Sequence, residues 1–254
     1  MIQSALNEEK DGEHSENCKQ RLRFRSFNRN FAVELLERNS MKTKDFRAAL
    51  FDLDGVVLDT EGQYSQFWGQ MGRELRPDVP DFADRIKGQT LVQIFDAWFP
   101  GQETLQREIT RRLDEFEGQM TYDYIRGTRA YVERLRQRGI PAAIVTSSNR
   151  PKMESVYRQR PELRELFERI LTAEDFTESK PSPLCYLRGA EALGVPIGEC
   201  VVFEDSLNGL RAGRASGAYV VGLATTRPRE IIAPLADMVL DNLEGIDNLD
   251  SIEK

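Results

Sequence analysis

The chain has 254 residues, enough for one large or two modest domains, and hydrophobic residues make up 40% of it. Its 35 basic and 42 acidic residues give a net charge of −7, which argues against a protein that coats nucleic acid or an anionic membrane. The only histidine of the sequence is His14, so histidine-based triads, two-histidine zinc sites and iron facial triads are excluded.

Residues 1–45 differ from the remainder of the chain. An acidic cluster precedes several arginines, and few apolar residues are spaced as they would be on one face of a helix or strand. We expect a mobile N-terminal extension here, or residues upstream of a true start at Met41. The alternative is a helix around Phe31–Glu37 that docks on a partner. No apolar run approaches the roughly 20 residues that span a bilayer. The three cysteines (Cys18, Cys185, Cys200) lack metal-ligand spacing, so we expect reduced thiols and a cytoplasmic protein.

From Arg47 onward, short apolar runs alternate with helix-like stretches. The predicted strands are Ala48–Phe51, Ile140–Val145, Arg169–Thr172, Cys200–Phe203 and Ala218–Leu223. The predicted helices between and after them are Thr128–Arg138, Pro151–Arg160, Ser182–Leu193 and Leu207–Ser216. This alternation is typical of βαβ units and predicts an α/β fold with a doubly wound, mostly parallel sheet.

The interval between the first strand and Gly127 breaks this alternation and favours helix throughout. Its predicted helices are Thr60–Leu75, Phe82–Lys87, Thr90–Trp98 and Glu103–Gln119. We interpret residues 60–127 as a small α-helical cap domain, inserted into a core formed by residues 46–59 and 128–254. The alternative is a set of crossover helices of the main sheet, although a crossover needs only about a dozen residues.

Polar side chains follow the ends of the predicted strands, where ligands bind in open parallel sheets. They are Asp52 and Asp54 after the first strand, Thr146, Ser147, Ser148 and Asn149 after the second, Lys180 in a loop after the third, and Glu204 and Asp205 after the fourth. Crowded carboxylates need a cation, and an all-oxygen ligand set favours Mg²⁺ first and Mn²⁺ or Ca²⁺ next. The hydroxyls and the lysine suit phosphate oxygens. The pattern therefore indicates phosphoryl transfer, with Asp52 as metal ligand and nucleophile and Asp54 as general acid and base.

The same residues resemble the four motifs of the haloacid dehalogenase superfamily, in order and in spacing. The matching segments are Phe51–Val56, Thr146 at its strand end, Lys180–Pro183 and Val202–Ser206. The resemblance implies that Asp52 is phosphorylated and that the backbone carbonyl of Asp54 contacts Mg²⁺. It also implies that Thr146 and Lys180 bind the phosphoryl group and that Glu204 and Asp205 hold the metal, in agreement with the roles inferred above for Ser147 and Asp52. Members that dehalogenate or cleave phosphonates lack the second aspartate, so Asp54 disfavours both activities.

The predicted cap resembles that of the β-phosphoglucomutase-like and sugar-phosphatase branch, whose substrate-facing Lys-Gly pair matches Lys87 and Gly88. Tyr64 stands where the mutase has a histidine, and Leu91 where it has an arginine. Arg111 or Arg112 is an alternative ligand for a second phosphate, unless both lie on a solvated helix face.

We therefore expect hydrolysis of small phosphorylated metabolites such as sugar phosphates, by a chain that is a monomer by default and binds neither nucleic acid nor membrane. The alternatives are a hexose-phosphate mutase and a catalytically silent binding module.

Overall fold

A parallel sheet of six strands forms the centre of the computed structural model, which describes residues 46–87 and 89–246. The strands are β1 (Ala48–Phe51), β2 (Ala142–Val145), β3 (Arg169–Leu171), β4 (Cys200–Glu204), β5 (Tyr219–Leu223) and β6 (Met238–Leu240). Their order is β3-β2-β1-β4-β5-β6, and every neighbouring pair is parallel. The predicted doubly wound α/β fold is confirmed.

The strand order reverses beside β1. The chain builds β2 and β3 on one side of this central strand and β4 to β6 on the other. Phe51, the last residue of β1, lies opposite Ile144 of β2 and Phe203 of β4. A reversal of this kind leaves a crevice at the carboxyl ends of the strands, which is where ligands bind in such sheets.

The described residues form ten α-helices, four of them in the segment after β1 and six later in the chain. They are α1 (Glu61–Leu75), α2 (Phe82–Ile86), α3 (Leu91–Trp98), α4 (Glu103–Gln119), α5 (Thr128–Gln137), α6 (Arg150–Gln159), α7 (Leu163–Leu166), α8 (Leu184–Leu193), α9 (Leu207–Ser216) and α10 (Arg229–Ile232). Helix α8 packs on β1 and β2, and α9 packs on β4 and β5. Cys185 and Cys200 are buried in this core as small apolar side chains. Among the described residues, no helix combines the length and the apolar character needed to cross a membrane.

Helices α1 to α4 share a hydrophobic cluster of their own, and we call this segment the cap. The buried members of that cluster are Phe67, Trp68, Met71, Phe82, Ile86, Ile94, Phe99, Ile109 and Leu113. The two connections between cap and core pair with each other: Asp59 N donates to Asp123 O (2.8 Å), and Ile125 N donates to Val57 O (3.0 Å). The division at residues 46–59, 60–127 and 128–254 stays a prediction, as do the hinges that we expect at Asp59–Gly62 and Tyr124–Gly127.

The element ends differ from the predicted ones by a few residues, for local reasons. The β2 strand begins at Ala142 because Ile140 N still bonds to Leu135 O at the end of α5. Helix α8 begins at Leu184, after Pro183 as its N-cap. The short edge strand β6 was not predicted. The prediction for residues 1–45 lies outside the described residues.

Candidate active site

The first motif forms a tight turn directly after β1. Asp52 follows Phe51, and its amide bonds to Phe203 O of β4 (3.0 Å). Gly55 has a φ of 75°, a conformation that favours glycine. A Cβ atom on Gly55 would lie 2.2 Å from Oδ2 of Asp205 and 2.7 Å from Oγ1 of Thr226. The glycine therefore allows the Asp52 turn and the Asp205 side chain to approach each other.

Lys180 connects the first and fourth motifs. Its buried ammonium donates to Oδ1 of Asp52 and Oε1 of Glu204, both at 2.8 Å, and to Val145 O at 3.2 Å. Burial alone would lower the pKa of Lys180, but Asp52 and Glu204 outweigh it and raise that pKa. The lysine is therefore a fixed cation beside the Asp52 carboxylate.

Glu204 is fully buried at the end of β4, and both its oxygens accept hydrogen bonds. Oε1 accepts from Lys180 and, at 2.8 Å, from the Tyr186 hydroxyl. Oε2 accepts from the amides of Asp205 and Ser206 (both 3.0 Å) and from the Ser206 hydroxyl (3.1 Å). In this arrangement Glu204 anchors Lys180 and the start of α9.

Asp205 differs from Glu204 in its hydrogen bonds. Oδ2 accepts from the Thr226 hydroxyl, whereas the buried Oδ1 has no partner among the described residues. Carboxylate oxygens of Asp52, Glu204 and Asp205 lie within 4.8 Å of one another. Burial, opposed by Lys180 and reinforced by Glu204 and Asp54, raises the pKa of Asp52 to about 7. A buried acceptor without a donor, among crowded carboxylates, fits a hard divalent cation such as Mg²⁺.

The Asp54 carboxylate faces a different set of groups. Oδ1 accepts from the Thr60 hydroxyl (2.5 Å) and from Lys152 Nζ (2.6 Å). Oδ2 accepts from the Ser148 hydroxyl (2.9 Å) and from the same Nζ (2.5 Å). Burial would raise the pKa of Asp54, but Lys152 and the hydroxyl donors overcome it and lower that pKa.

A cavity of about 490 Å³ lies above these groups, between the carboxyl ends of the strands and the cap. Its core-side lining includes Asp52, Asp54, Thr146, Ser147, Lys180 and Asp205. Thr146 is buried, and its hydroxyl accepts from the Ser148 amide (3.0 Å), while Ser147 is exposed. The structure thus brings the predicted phosphate-binding residues and the predicted nucleophile to one cavity.

On the cap side, Lys87, Tyr64 and Leu91 line the cavity, and Gly88 lies outside the described residues. Lys87 pairs with Asp84 at 3.1 Å. The Tyr64 hydroxyl donates to Oε1 of the buried Glu117 (2.7 Å).

Neither arginine that could replace the mutase contact lines this cavity. Arg111 pairs with Glu108 and Glu115 on an exposed helix face, and Arg112 pairs with Glu74. The alternative of a second-phosphate ligand at Arg111 or Arg112 therefore finds no support in this geometry.

Lys152, Thr60, Tyr186 and Thr226 contact the motif carboxylates and were not predicted as site residues. Lys152 carried one signal in the sequence, because it stands in the first turn of a helix after Asn149 and Pro151. A cation is unfavourable at that end of a helix dipole. The other three are ordinary polar residues, and only the fold shows which carboxylate each of them reaches.

Comparison with known families assigns residues 46–217 to the haloacid dehalogenase-like hydrolases. The chain is 30% identical to validoxylamine A 7′-phosphate phosphatase of Streptomyces hygroscopicus subsp. limoneus, over 79% of this chain and 96% of that protein. It is 32% identical to hexitol phosphatase A of Escherichia coli K12, over 81% of this chain and 94% of that protein.

Two solved structures share the fold. CbbY from Rhodobacter sphaeroides, in complex with phosphate, superposes with a TM-score of 0.66 at 23% identity, over 80% of this chain and 97% of that one. The β-phosphoglucomutase of Clostridium difficile gives a TM-score of 0.66 at 20% identity, over 79% of this chain and 93% of that one. At these identities the likeness extends to the fold alone.

Proposed function

This chain belongs to the haloacid dehalogenase-like hydrolases, and we propose that it is a phosphatase of small phosphorylated metabolites, with Asp52 as nucleophile. One observation carries the proposal: Lys180 donates to Asp52 at 2.8 Å on the floor of the cavity, and a carboxylate oxygen of Asp205 lies within 4.8 Å of one of Asp52. Asp205 also has a buried oxygen without a partner among the described residues. The two relatives described above are named as phosphatases of small molecules, which supports this substrate class.

The reaction divides into two steps. An Asp52 oxygen forms a bond to phosphorus while the bond from phosphorus to the leaving oxygen breaks. Asp54, whose pKa is lowered, gives that oxygen a proton from its less populated protonated form. Water then attacks the phosphorus of the aspartyl phosphate and gives its proton to Asp54, which releases inorganic phosphate and restores both carboxyls. Thr146, Ser147 and Lys180 bind the phosphoryl oxygens during both steps.

We propose that this site holds a divalent cation, Mg²⁺. The carboxylates of Asp52 and Asp205 would bind it, Glu204 lies within reach, and the backbone carbonyl of Asp54 is close in the sequence. When bound, Mg²⁺ neutralises charge on the phosphoryl group and on the carboxylates. The neutral-range pKa of Asp52 fits this role, because a cation favours the charged form that a nucleophile requires.

Hydrolysis is favoured over mutase activity by the side chains of the cap. The Tyr64 hydroxyl is bonded to Glu117, and the side chain of Leu91 cannot bind phosphate. A mutase has to hold a bisphosphate by both phosphates, and the described cap offers only Lys87, already paired with Asp84, at the predicted position.

The test is a panel of phosphate monoesters assayed for released inorganic phosphate, with Mg²⁺ or with EDTA. We expect turnover of sugar and polyol phosphates that requires the metal. In parallel, β-glucose 1-phosphate is supplied with a bisphosphate activator, and glucose 6-phosphate is measured. No phosphate release across the panel would overturn the proposal, and activator-dependent glucose 6-phosphate would assign the mutase reaction instead.

Metal binding also predicts a pH dependence of stability. Asp52 has an ordinary pKa of 3.8 and a folded pKa of about 7, and the pKa of Asp205 is also raised by burial and by Glu204. Carboxyls of this kind bind protons on folding, so in EDTA they stabilise the fold as the pH falls from about 7 towards 4. Mg²⁺ binds the charged forms, and at saturation it should raise Tm by about 5 °C at pH 8 and far less at pH 5.

The measurement is thermal unfolding by circular dichroism, with Mg²⁺ or with KCl of equal ionic strength. Asp205→Asn should lose most of the Mg²⁺ effect at pH 8, whereas Asp96→Asn, on the exposed face of α3, should retain it. A Tm increase of equal size at both pH values would contradict carboxylate binding.

A further inference from the structure

Lys152 is a buried cation outside the four motifs. It lies in the first turn of α6, where the Asn149 side chain caps the helix by accepting from the Lys152 amide (3.0 Å). Its side chain is 3% exposed. Burial disfavours an ammonium, and so does the positive end of a helix dipole. A lysine at this position therefore requires a specific anionic partner.

That partner is Asp54. The Lys152 ammonium donates to both carboxylate oxygens, at 2.6 and 2.5 Å, while Thr60 and Ser148 each bind one of the same oxygens. Contacts to both oxygens fix the direction of the carboxyl as well as its position. The donors come from two sides, since Thr60 precedes α1 of the cap, and Ser148 and Lys152 belong to the segment after β2.

The cap covers the free side of this ammonium. Nζ of Lys152 lies 4.7 Å from the ring centroid of Tyr64, at a distance suited to a cation–π contact. The Tyr64 hydroxyl in turn bonds to Glu117 on α4. Lys152 is thus enclosed between Asp54 of the core and an aromatic ring of the cap.

We propose that Lys152 is a positioning residue, which holds the Asp54 carboxyl where it can transfer a proton to the leaving oxygen. The inference rests on the proposed phosphatase function and adds a residue to it. Lys152 acts through Asp54, because proton transfer depends on the placement of that carboxyl within hydrogen-bond reach of the reacting oxygen. Loss of the ammonium leaves Asp54 held only by two hydroxyls, and its carboxyl is then free to turn.

The test compares two substrate types on the holoenzyme with Mg²⁺. An alkyl phosphate such as glycerol phosphate needs a proton on its leaving oxygen, whereas p-nitrophenyl phosphate loses a stable anion. The ratio kcat/KM reports the steps up to phosphorylation of Asp52, in which the leaving group departs. Lys152→Met should lower kcat/KM about 10²-fold for the alkyl ester and less than about 10-fold for the aryl ester. Lys152→Arg, which keeps the charge, should recover part of the alkyl activity.

Arg150→Met is the matched control, since Arg150 is an exposed cation in the same helical turn and does not line the cavity. It should leave both kcat/KM values unchanged. If Lys152→Met fails to fold, the same ratio is read on Lys152→Gln. Equal losses on the two esters, or no loss on either, would overturn the inference while the proposed function stands. A wild-type protein that hydrolyses neither ester would overturn both.

Discussion

Replacement of Asp52 by asparagine should lower phosphate release by at least about 10³-fold, because an amide cannot form the phosphorylated intermediate. The fold should persist, since the asparagine oxygen can still accept from Lys180, and one negative charge beside Glu204 and Asp205 is removed. The measurement is steady-state release of inorganic phosphate from the best ester of the panel, together with the circular dichroism spectrum.

Asp96→Asn is the control for this change. It removes a carboxylate of the same type from an exposed position on α3, outside the cavity lining. Its rate should equal that of the wild type. An Asp52→Asn protein that keeps more than about a tenth of the wild-type rate would show that another group accepts the phosphoryl unit, given what removal of a nucleophile costs.

Gly209→Ala should have the largest effect on stability. A Cβ atom at this position would lie 1.6 to 2.2 Å from three atoms of the Glu204 carboxyl group. That carboxyl cannot turn aside at low cost, because both its oxygens are buried and hydrogen-bonded, to Lys180 and Tyr186 among others. We expect the free energy of unfolding to fall by about 1–3 kcal/mol. Phosphate release should fall too, because Lys180 loses its anchor.

The control is Gly118→Ala, at a helical glycine whose added Cβ would meet no atom of another described segment within 4 Å. Alanine is the better helix former, so this variant should be unchanged or more stable by up to about 1 kcal/mol. Urea denaturation of both variants measures the difference. Similar stabilities for the two would mean that Glu204 has room to move, and that the close approach of α9 to β4 is not required.

The sequence was sufficient to predict those strands and site residues whose pattern lies within a few consecutive residues. The buried run Ala48–Phe51 followed by Asp52 predicts a strand and a site residue together, and the same holds for Val202–Glu204. A strand buried on both faces is continuously apolar, so the first polar residue after it marks the end of the strand in the sequence. The edge strand β6 has only three residues, of which one is buried, and therefore gives little signal.

Contacts between distant segments were not predictable in the same way. Lys152 and Asp54 are 98 residues apart in the chain, and Tyr186 and Glu204 are 18 apart on different elements. Neither spacing is periodic, so only the folded arrangement brings each pair together: α6 packs against α4 of the cap, and α8 packs on β1 and β2. The orientation of the cap could not be predicted from the sequence for the same reason. Gln93 Nε2 donates to Lys180 O (3.1 Å), a contact that depends on the placement of α3 over the core.

The pairing of the two connections has a consequence for how such a protein can diversify. Leu58 forms an isolated bridge with Tyr124, so the insert begins and ends at neighbouring points. The segment between these two residues is a loop whose ends are held together, and the entropic cost of closing such a loop rises only slowly with its length. The helical insert can therefore change in length at little entropic cost without disturbing the strand register that carries Asp52. Its sequence is constrained where it contacts the site, at Thr60, Tyr64 and Gln93.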